Sequence, residues 1–315
     1  MLRKIFTPIV LQGGVDRKEY FEGWYFKQAS VASDKAIAFI PGISTAKGKE
    51  HAFIQVISAL PVRTHYFRFP LESFSAQAEP FSVKIGSCTF SEQELLLDLE
   101  DEKIKISGRL SFGGFKPLER SLLMPNIMGI FAYLPRMSCN HAVISMSHSV
   151  TGELAYGGEK LLFAEDKGYL EKDWGTSFPR RYIWLQANHF PEKSLSMMLS
   201  IADVPFGFGA FTGLIANICF AGREYRFATY NGGRIGRIVT TEEGVKLCVS
   251  RGKYRLEVEG RATQSGKLRS PLKGEMAETI KEGLGGIIKL SLYEGHQLLV
   301  EALSPYAGVE IVNWK

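Results

Sequence analysis

The densest group of residues able to do chemistry runs Gly168-Tyr-Leu-Glu-Lys-Asp-Trp-Gly-Thr-Ser-Phe-Pro179 and continues through Arg180-Arg-Tyr-Ile-Trp-Leu-Gln-Ala-Asn188. On an extended backbone Glu171 and Asp173 project to one face, and Lys172 and Trp174 to the other. Two neighbouring carboxylates resist double ionisation, so one keeps its proton near neutral pH and can act as a general acid. The same acids have a structural alternative, ion pairs with Arg180 or Arg181 that would pin a surface loop. Trp174, Phe178, Tyr182 and Trp184 add aromatic faces that stabilise cations, whether on Lys and Arg or developing on a substrate.

Glu22 is a second acid beside aromatics, in Tyr20-Phe-Glu-Gly-Trp-Tyr-Phe-Lys27. It is a candidate partner for the acid or, alternatively, one half of a salt bridge to Lys27 or another strand. His141 and His148 lie seven residues apart, so on a straight strand they face opposite sides and make a poor shared metal site. Each is read either as a structural, hydrogen-bonded histidine or as a general acid/base. No metal site is expected. No P-loop, nucleophile elbow, zincin helix or dinucleotide fingerprint occurs. Phe206-Gly-Phe-Gly-Ala-Phe211 and Asn231-Gly-Gly-Arg-Ile-Gly236 read as turns or bulges.

The elements that must position these residues are strands. Period-2 alternation begins with Trp24, Phe26 and Gln28 on one face and Tyr25, Lys27 and Ala29 on the other, and it recurs along most of the chain. Glu94 to Leu110 reads as a hairpin, with a counterpart at Gly244 to Arg261. Each half thus carries a Trp-bearing strand followed some eighty positions later by a hairpin ending Gly-Arg, a weak internal duplication. Pro117 to Asn140 reads as an extended connector, Asp166 to Arg181 as a loop across a surface or cleft, and Met276 to Gly283 as the one helix. The fold expected is all-β, with antiparallel barrels or sandwiches able to enclose an apolar ligand.

The 315 residues exceed one ordinary β domain, and two modules are expected, residues 1–150 and 151–315. A net charge of +5 arises from scattered Lys and Arg, without a basic block or nucleic-acid motif, so no nucleic-acid partner is expected. The mild bias suits an acidic ligand or peripheral contact with anionic lipid headgroups. Cys88, Cys139, Cys219 and Cys248 show no CxxC spacing and are expected as reduced thiols. With no signal-peptide pattern and no long apolar run, the expected location is the cytoplasm, with membrane-peripheral contact as an alternative.

Taken together, Tyr20 to Lys27, Met124-Pro-Asn-Ile-Met-Gly129, His141 to His148, Gly168 to Pro179 with Tyr182 to Asn188, and Ser304-Pro-Tyr-Ala-Gly-Val-Glu310 make the chain resemble the tocopherol-cyclase-like family. The resemblance implies two packed lipocalin-like modules with a ligand cavity, distantly related to carotenoid hydratases and Diels-Alder-type cyclases. It implies a cofactor-free isomerisation, in which a trisubstituted alkene of a prenylated hydroquinone is protonated and the tertiary cation is captured by the phenol oxygen. On that chemistry Asp173 or Glu171 is the acid, with Glu22, His141 or His148 as partner. Trp24, Tyr25, Lys27, Trp174, Tyr182, Trp184, Gln186 and Asn188 are the expected ligand-binding residues. The partner implied is an apolar prenylated aromatic or isoprenoid molecule. The alternative is a non-catalytic carrier of a lipid or isoprenoid, or a related hydratase or cyclase.

Overall fold

A computed structural model describes residues 2–59, 61–135, 137–206 and 209–314. Strand makes up 64% of the chain and helix 5%, arranged as two curled antiparallel half-barrel sheets, so the all-β, two-module lipocalin-like expectation holds.

The first sheet starts with four strands that pair in sequence order, from Phe21–Ser30 to Arg63–Phe69. A second meander, from Phe74–Ala78 to Glu159–Gly175, returns so that its last strand pairs antiparallel with Phe21–Ser30. The second sheet repeats the plan. Tyr182–Ala187 opens a four-strand meander, and the final strand Gln297–Val312 returns beside it. The hairpins Glu94–Glu100 with Lys105–Phe112 and Gly244–Arg251 with Tyr254–Arg261 take the same place in each sheet, as the sequence duplication suggests.

The strands nearest the centre are buried on both faces. In Phe21–Ser30 every residue is buried. Trp24 and Phe26 enter the first module's core, while Tyr25 and Ala29 join a third apolar cluster. Ile183, Leu185 and Ala187 enter the second module's core, while Tyr182 and Trp184 join that third cluster, which draws residues from both modules. Strand alternation therefore sends one side chain into its own barrel and the next into the seam between barrels.

Three expectations change. The boundary expected after residue 150 falls inside the strand Cys139–Tyr156, where Val150 is flanked by Phe112 and Asp166. Residues 139–175 form one long hairpin that turns at Gly157 and Gly158, both at positive φ, and its second strand completes the first sheet; the sheets change over within residues 176–181. The segment Asp166 to Arg181, expected as a loop for its polar, aromatic and Gly-bearing composition, is strand as far as Gly175 and central in its sheet. Met276 to Gly283 is not helical. Glu275–Glu282 is a strand paired with Gly266–Leu272, its turn formed by Lys273 and Gly274 at positive φ. Met276 and Ile280 are four apart, a spacing that serves one helix face or alternate strand positions equally well. Among the described residues the α-helix is the short Leu2–Phe6, and Leu71–Ser73, Gly129–Tyr133 and Thr229–Asn231 are 3-10 turns.

The hairpin Gly266–Leu272 with Glu275–Glu282 is an insertion with no equivalent in the first sheet. It is joined to the last strand by a bridge between Glu282 and Glu310. Gln55 of the first module clasps the backbone of Arg269, accepting from its N–H at 2.8 Å and donating to its carbonyl at 3.0 Å. Asn231 to Gly236 contains the expected irregularity, with Gly232 left-handed and a register shift between Ile235 and Ile238. The Gly-rich piece from Phe206 to Phe211 has Gly207 and Phe208 outside the described residues. Among the described residues no helix is long and apolar enough to cross a membrane, and all four cysteines are free.

Candidate active site between the two modules

A cleft with about 190 Å³ of room for atom centres lies in the seam between the sheets. Its walls are mostly apolar and come from both modules and the inserted hairpin, among them Ile40, Phe53, Phe178, Ile215, Leu268 and Ile280. Into this apolar space project four carboxyl groups, those of Glu171, Asp173, Glu282 and Glu310, together with His141. Such a density of acid in an apolar cleft is costly unless protons or counter-charges neutralise it.

Glu171 and Asp173 occupy the same face of their strand, as alternation requires, and neither pairs with Arg180 or Arg181. Arg181 instead makes a two-pronged contact with Asp203, at 2.7 and 3.0 Å. Asp173 lies opposite His141 in the ladder, and their side chains meet, Nδ1 to Oδ1, at 2.9 Å. Tyr169 and Trp184 both donate to Glu171 Oε2, at 2.6 and 3.1 Å. His141 Nε2 stands 3.5 Å from that oxygen, a charge contact without a hydrogen bond, and the nitrogen has no hydrogen-bond partner. Trp184 reaches across the seam because Gly308 passes under its ring; a Cβ there would collide with the indole.

Burial pulls the His141 imidazole down, but the charge of Asp173, then of Glu171, outweighs it and raises the group to about 9. At neutral pH His141 is an imidazolium. Glu171 is raised to about 7, first by burial, with His141 pulling it down and Asp173 pushing it up. Glu282 is also raised to about 7 by burial, opposed by the Tyr25 hydroxyl it accepts from and reinforced by the charge of Glu171. Its second oxygen, Oε2, is buried without a partner. Glu310 is pushed well above the usual carboxylate range by burial and by Glu282, and it accepts from Tyr182 at 2.7 Å. Behind Tyr25 on the same strand face sits Lys27, which donates to Gln186 across the seam at 2.6 Å. Burial draws its ammonium down to about 7 while Glu282 and Glu171 hold it up. These groups share protons near neutrality, so one carboxyl can hold a proton while its neighbour is ionised.

The donor atoms of His141, Glu171 and Asp173 lie within 4.8 Å of one another, which is compatible in type with a metal site. Glu171 Oε2 already accepts from Tyr169 and Trp184, Asp173 Oδ1 is met by His141 Nδ1, and an imidazolium ring offers no lone pair to a metal. The set fits a proton-sharing cluster better than a metal cradle.

Of the expected site residues, Glu171, Asp173, His141, Tyr25, Tyr182 and Trp184 line the cleft. Lys27 and Gln186 stand behind it as a buried pair, and Asn188 ties Gly168 by donating to its carbonyl at 2.8 Å. Four do not belong to it. Glu22 lies inside the first module, ion-paired with Lys172 and accepting from Tyr20 and from the N–H groups of Gln12 and Gly13. Trp24 donates its indole N–H to the Ile9 carbonyl and, with Trp174, covers the Lys172 ammonium. His148 is wedged between Phe112 and Phe115, where burial lowers it to about 3. Two bulges between Val143 and His148 shift the register, and the neutral imidazole bonds Ser145 at 3.0 Å. The acids Glu282 and Glu310 lie outside the sequence expectation. Glu310 sat in plain view within the Ser304 to Glu310 motif, and Glu282 was hidden by the helical reading of its strand.

This architecture has known counterparts. Residues 122–312 match the family described as tocopherol cyclase-like, well over half of the chain. The chain belongs to the tocopherol cyclase-like family. A tocopherol cyclase, chloroplastic, of Zea mays is 25% identical over 199 residues, covering 58% of this chain and 41% of the maize protein. This family member therefore matches less than half the length of that curated relative. Among solved structures, CghA in complex with Sch210972 superposes with a TM-score of 0.62 at 11% identity, covering 93% of this chain and 88% of that one. Kievitone hydratase from Nectria haematococca superposes with a TM-score of 0.52 at 11% identity, covering 96% and 93%. At such identities the likeness is one of fold.

Proposed function

We propose that this family member is a cofactor-free cyclase of a prenylated aromatic or isoprenoid substrate, working by acid catalysis in the cleft between its modules. The observation that carries the reading is the pair Glu171 and Glu282, both held to about 7 in an apolar cleft. A carboxyl that would ordinarily be ionised is thereby kept partly protonated, and its neighbour partly ionised, at the same pH.

Glu171 delivers its proton to one carbon of a trisubstituted alkene, and the electron pair of that double bond forms the new C–H bond. The tertiary carbocation left behind is sheltered from water by Tyr25, Trp184 and Tyr182. The phenol oxygen supplies the electron pair for the C–O bond, and its proton passes to ionised Glu282. Atoms balance as an isomerisation, with one proton delivered and one recovered. The His141 imidazolium, fixed by Asp173, favours the ionised form of Glu171 once its proton is gone. The partial likeness to a tocopherol cyclase of maize, 25% identical over 199 residues, supports a prenylated hydroquinone as the first substrate to try.

The test is incubation of the purified protein with a prenylated hydroquinone, looking for a product of equal mass and different retention. Glu171→Gln should abolish that product while the variant still retains the substrate on native mass spectrometry. Retention by the wild type without any product would replace the cyclase reading with that of a carrier.

A further inference from the structure

The two most exposed large apolar side chains among the described residues are adjacent, Leu122 at 79% and Leu123 at 71%. They occupy the tip of a tight turn closed by reciprocal backbone bonds between Ser121 and Met124, both 3.0 Å, which hold the pair out from the body of the protein. The Tyr133 hydroxyl donates to the Leu122 carbonyl at 2.6 Å, joining this half-exposed ring to the pair, and Ile130, also exposed, lies in the same 3-10 turn as Tyr133. A cluster of this kind on a turn is not explained by packing within the chain.

The same connector also forms part of the cleft wall. Met128, Phe131 and Met137 line it, and the Phe131 ring stacks on Phe211, another lining residue. The apolar patch is thus continuous in sequence with the cleft wall. Its surroundings are basic. Residues 114–135 contain Lys116 and Arg120 against Glu119 alone, and the helix Leu2–Phe6 carries Arg3 and Lys4 with no acid. That helix is tied to the connector by Arg120 donating to the Phe6 carbonyl at 2.6 Å and Asn126 to that of Ile5 at 3.3 Å. Arg3 is engaged by Glu79, which leaves Lys4 of the helix and Arg120 of the connector as the cations near the turn.

We infer that the connector docks on an anionic bilayer surface, with Leu122 and Leu123 inserted among the acyl chains, so that an apolar molecule can pass between bilayer and cleft. Leucines on a protruding turn supply the apolar insertion and the flanking cations the headgroup attraction, two weak signals that together hold a protein at an interface. The charge sign selects a lipid surface over an acyl-only phase. The inference is independent of the acid chemistry, because binding is read without turnover.

The experiment is co-sedimentation of the full chain with vesicles of phosphatidylcholine alone and of phosphatidylcholine mixed with phosphatidylglycerol. The wild type is expected to bind the mixed vesicles more tightly than the neutral ones, more weakly as salt rises, and Leu122→Asp/Leu123→Asp to lose at least about tenfold in partitioning. Both side chains are exposed, so an unchanged thermal melt confirms that the variant is folded. Glu171→Gln should bind vesicles as the wild type does. Equal binding by the leucine variant, or no binding by the wild type, overturns the inference. So does wild-type self-association that the same substitutions abolish, without vesicle binding.

Discussion

Glu22 and Glu171 are both buried glutamates on paired central strands of the first sheet, each within three residues of a tryptophan, and the structure gives them opposite work. Around Glu22 every need is met. Lys172 neutralises it, two backbone N–H groups and the Tyr20 hydroxyl satisfy its oxygens, and Trp24 and Trp174 cover the cation. Around Glu171 the balance is left open. Asp173, Glu282 and Glu310 crowd it with acid, while His141 Nε2 and Glu282 Oε2 lack hydrogen-bond partners. A buried acid with complete partners is a structural joint; one with too few counter-charges beside a cleft is a store of exchangeable protons.

The sharpest way to break this comparison is to remove each acid in turn. Glu171→Gln should lower turnover by about 10² to 10⁴-fold, the usual worth of a positioned general acid. Its melting temperature near neutral pH should not fall, because an amide removes a buried charge that burial opposes. Glu22→Gln should do the reverse. Lys172 would be left buried without its counter-charge, a loss of about 3 to 5 kcal/mol read as a lower denaturation midpoint. A variant at position 22 that melts as the wild type does but fails to turn over would invert the two assignments.

The next difference is in pH. Glu171 has a folded value of about 7 against an ordinary 4.5, so its protonated form is favoured by folding. Its contribution to stability is fully present below about 4.5 and is lost as pH rises through about 7. Comparing melting temperature against pH for the wild type and Glu171→Gln should show this slope shrink in the variant. Turnover by the coupled pair should trace a bell around neutrality, falling at high pH as the acid ionises and at low pH as Glu282 takes up its proton. A flat profile across that range would remove both carboxyls from the proton path.

The smallest expected change is at Trp184. Its indole N–H lowers Glu171 by bonding the ionised form. Trp184→Phe keeps an aromatic wall but removes that donor, so the alkaline limb of the turnover profile should move to higher pH. Trp24→Phe, whose indole bonds Ile9, should leave the limb in place. An equal shift in both would mean that the two tryptophans had been wrongly separated.

Alternation of apolar and polar residues was enough to place most strands and to assign side chains to faces. It put Tyr25 and Lys27 together, opposite Trp24 and Phe26, and it put Glu171 and Asp173 on one face. Those relations survive because they depend only on the local geometry of an extended chain. The matching order of Trp strands and hairpins likewise anticipated two sheets of one plan. Alternation cannot say what a face looks toward. Trp24 and Trp184 sit in comparable strands, yet one faces its own barrel and the other the seam, a difference set by the packing of the two sheets. Two bulges after Val143 shift the ladder register, and no residue type announces them, yet His141 and His148 still face opposite sides as their spacing requires. Glu282 joined the acids only because an inserted hairpin pairs with the last strand, and its Met276 to Ile280 spacing fits helix and strand alike. The amino-acid order therefore settles which residues share a face, since that follows from covalent geometry. Which faces meet, and so which acids must share protons, depends on contacts between residues more than a hundred positions apart, and tertiary packing alone decides it.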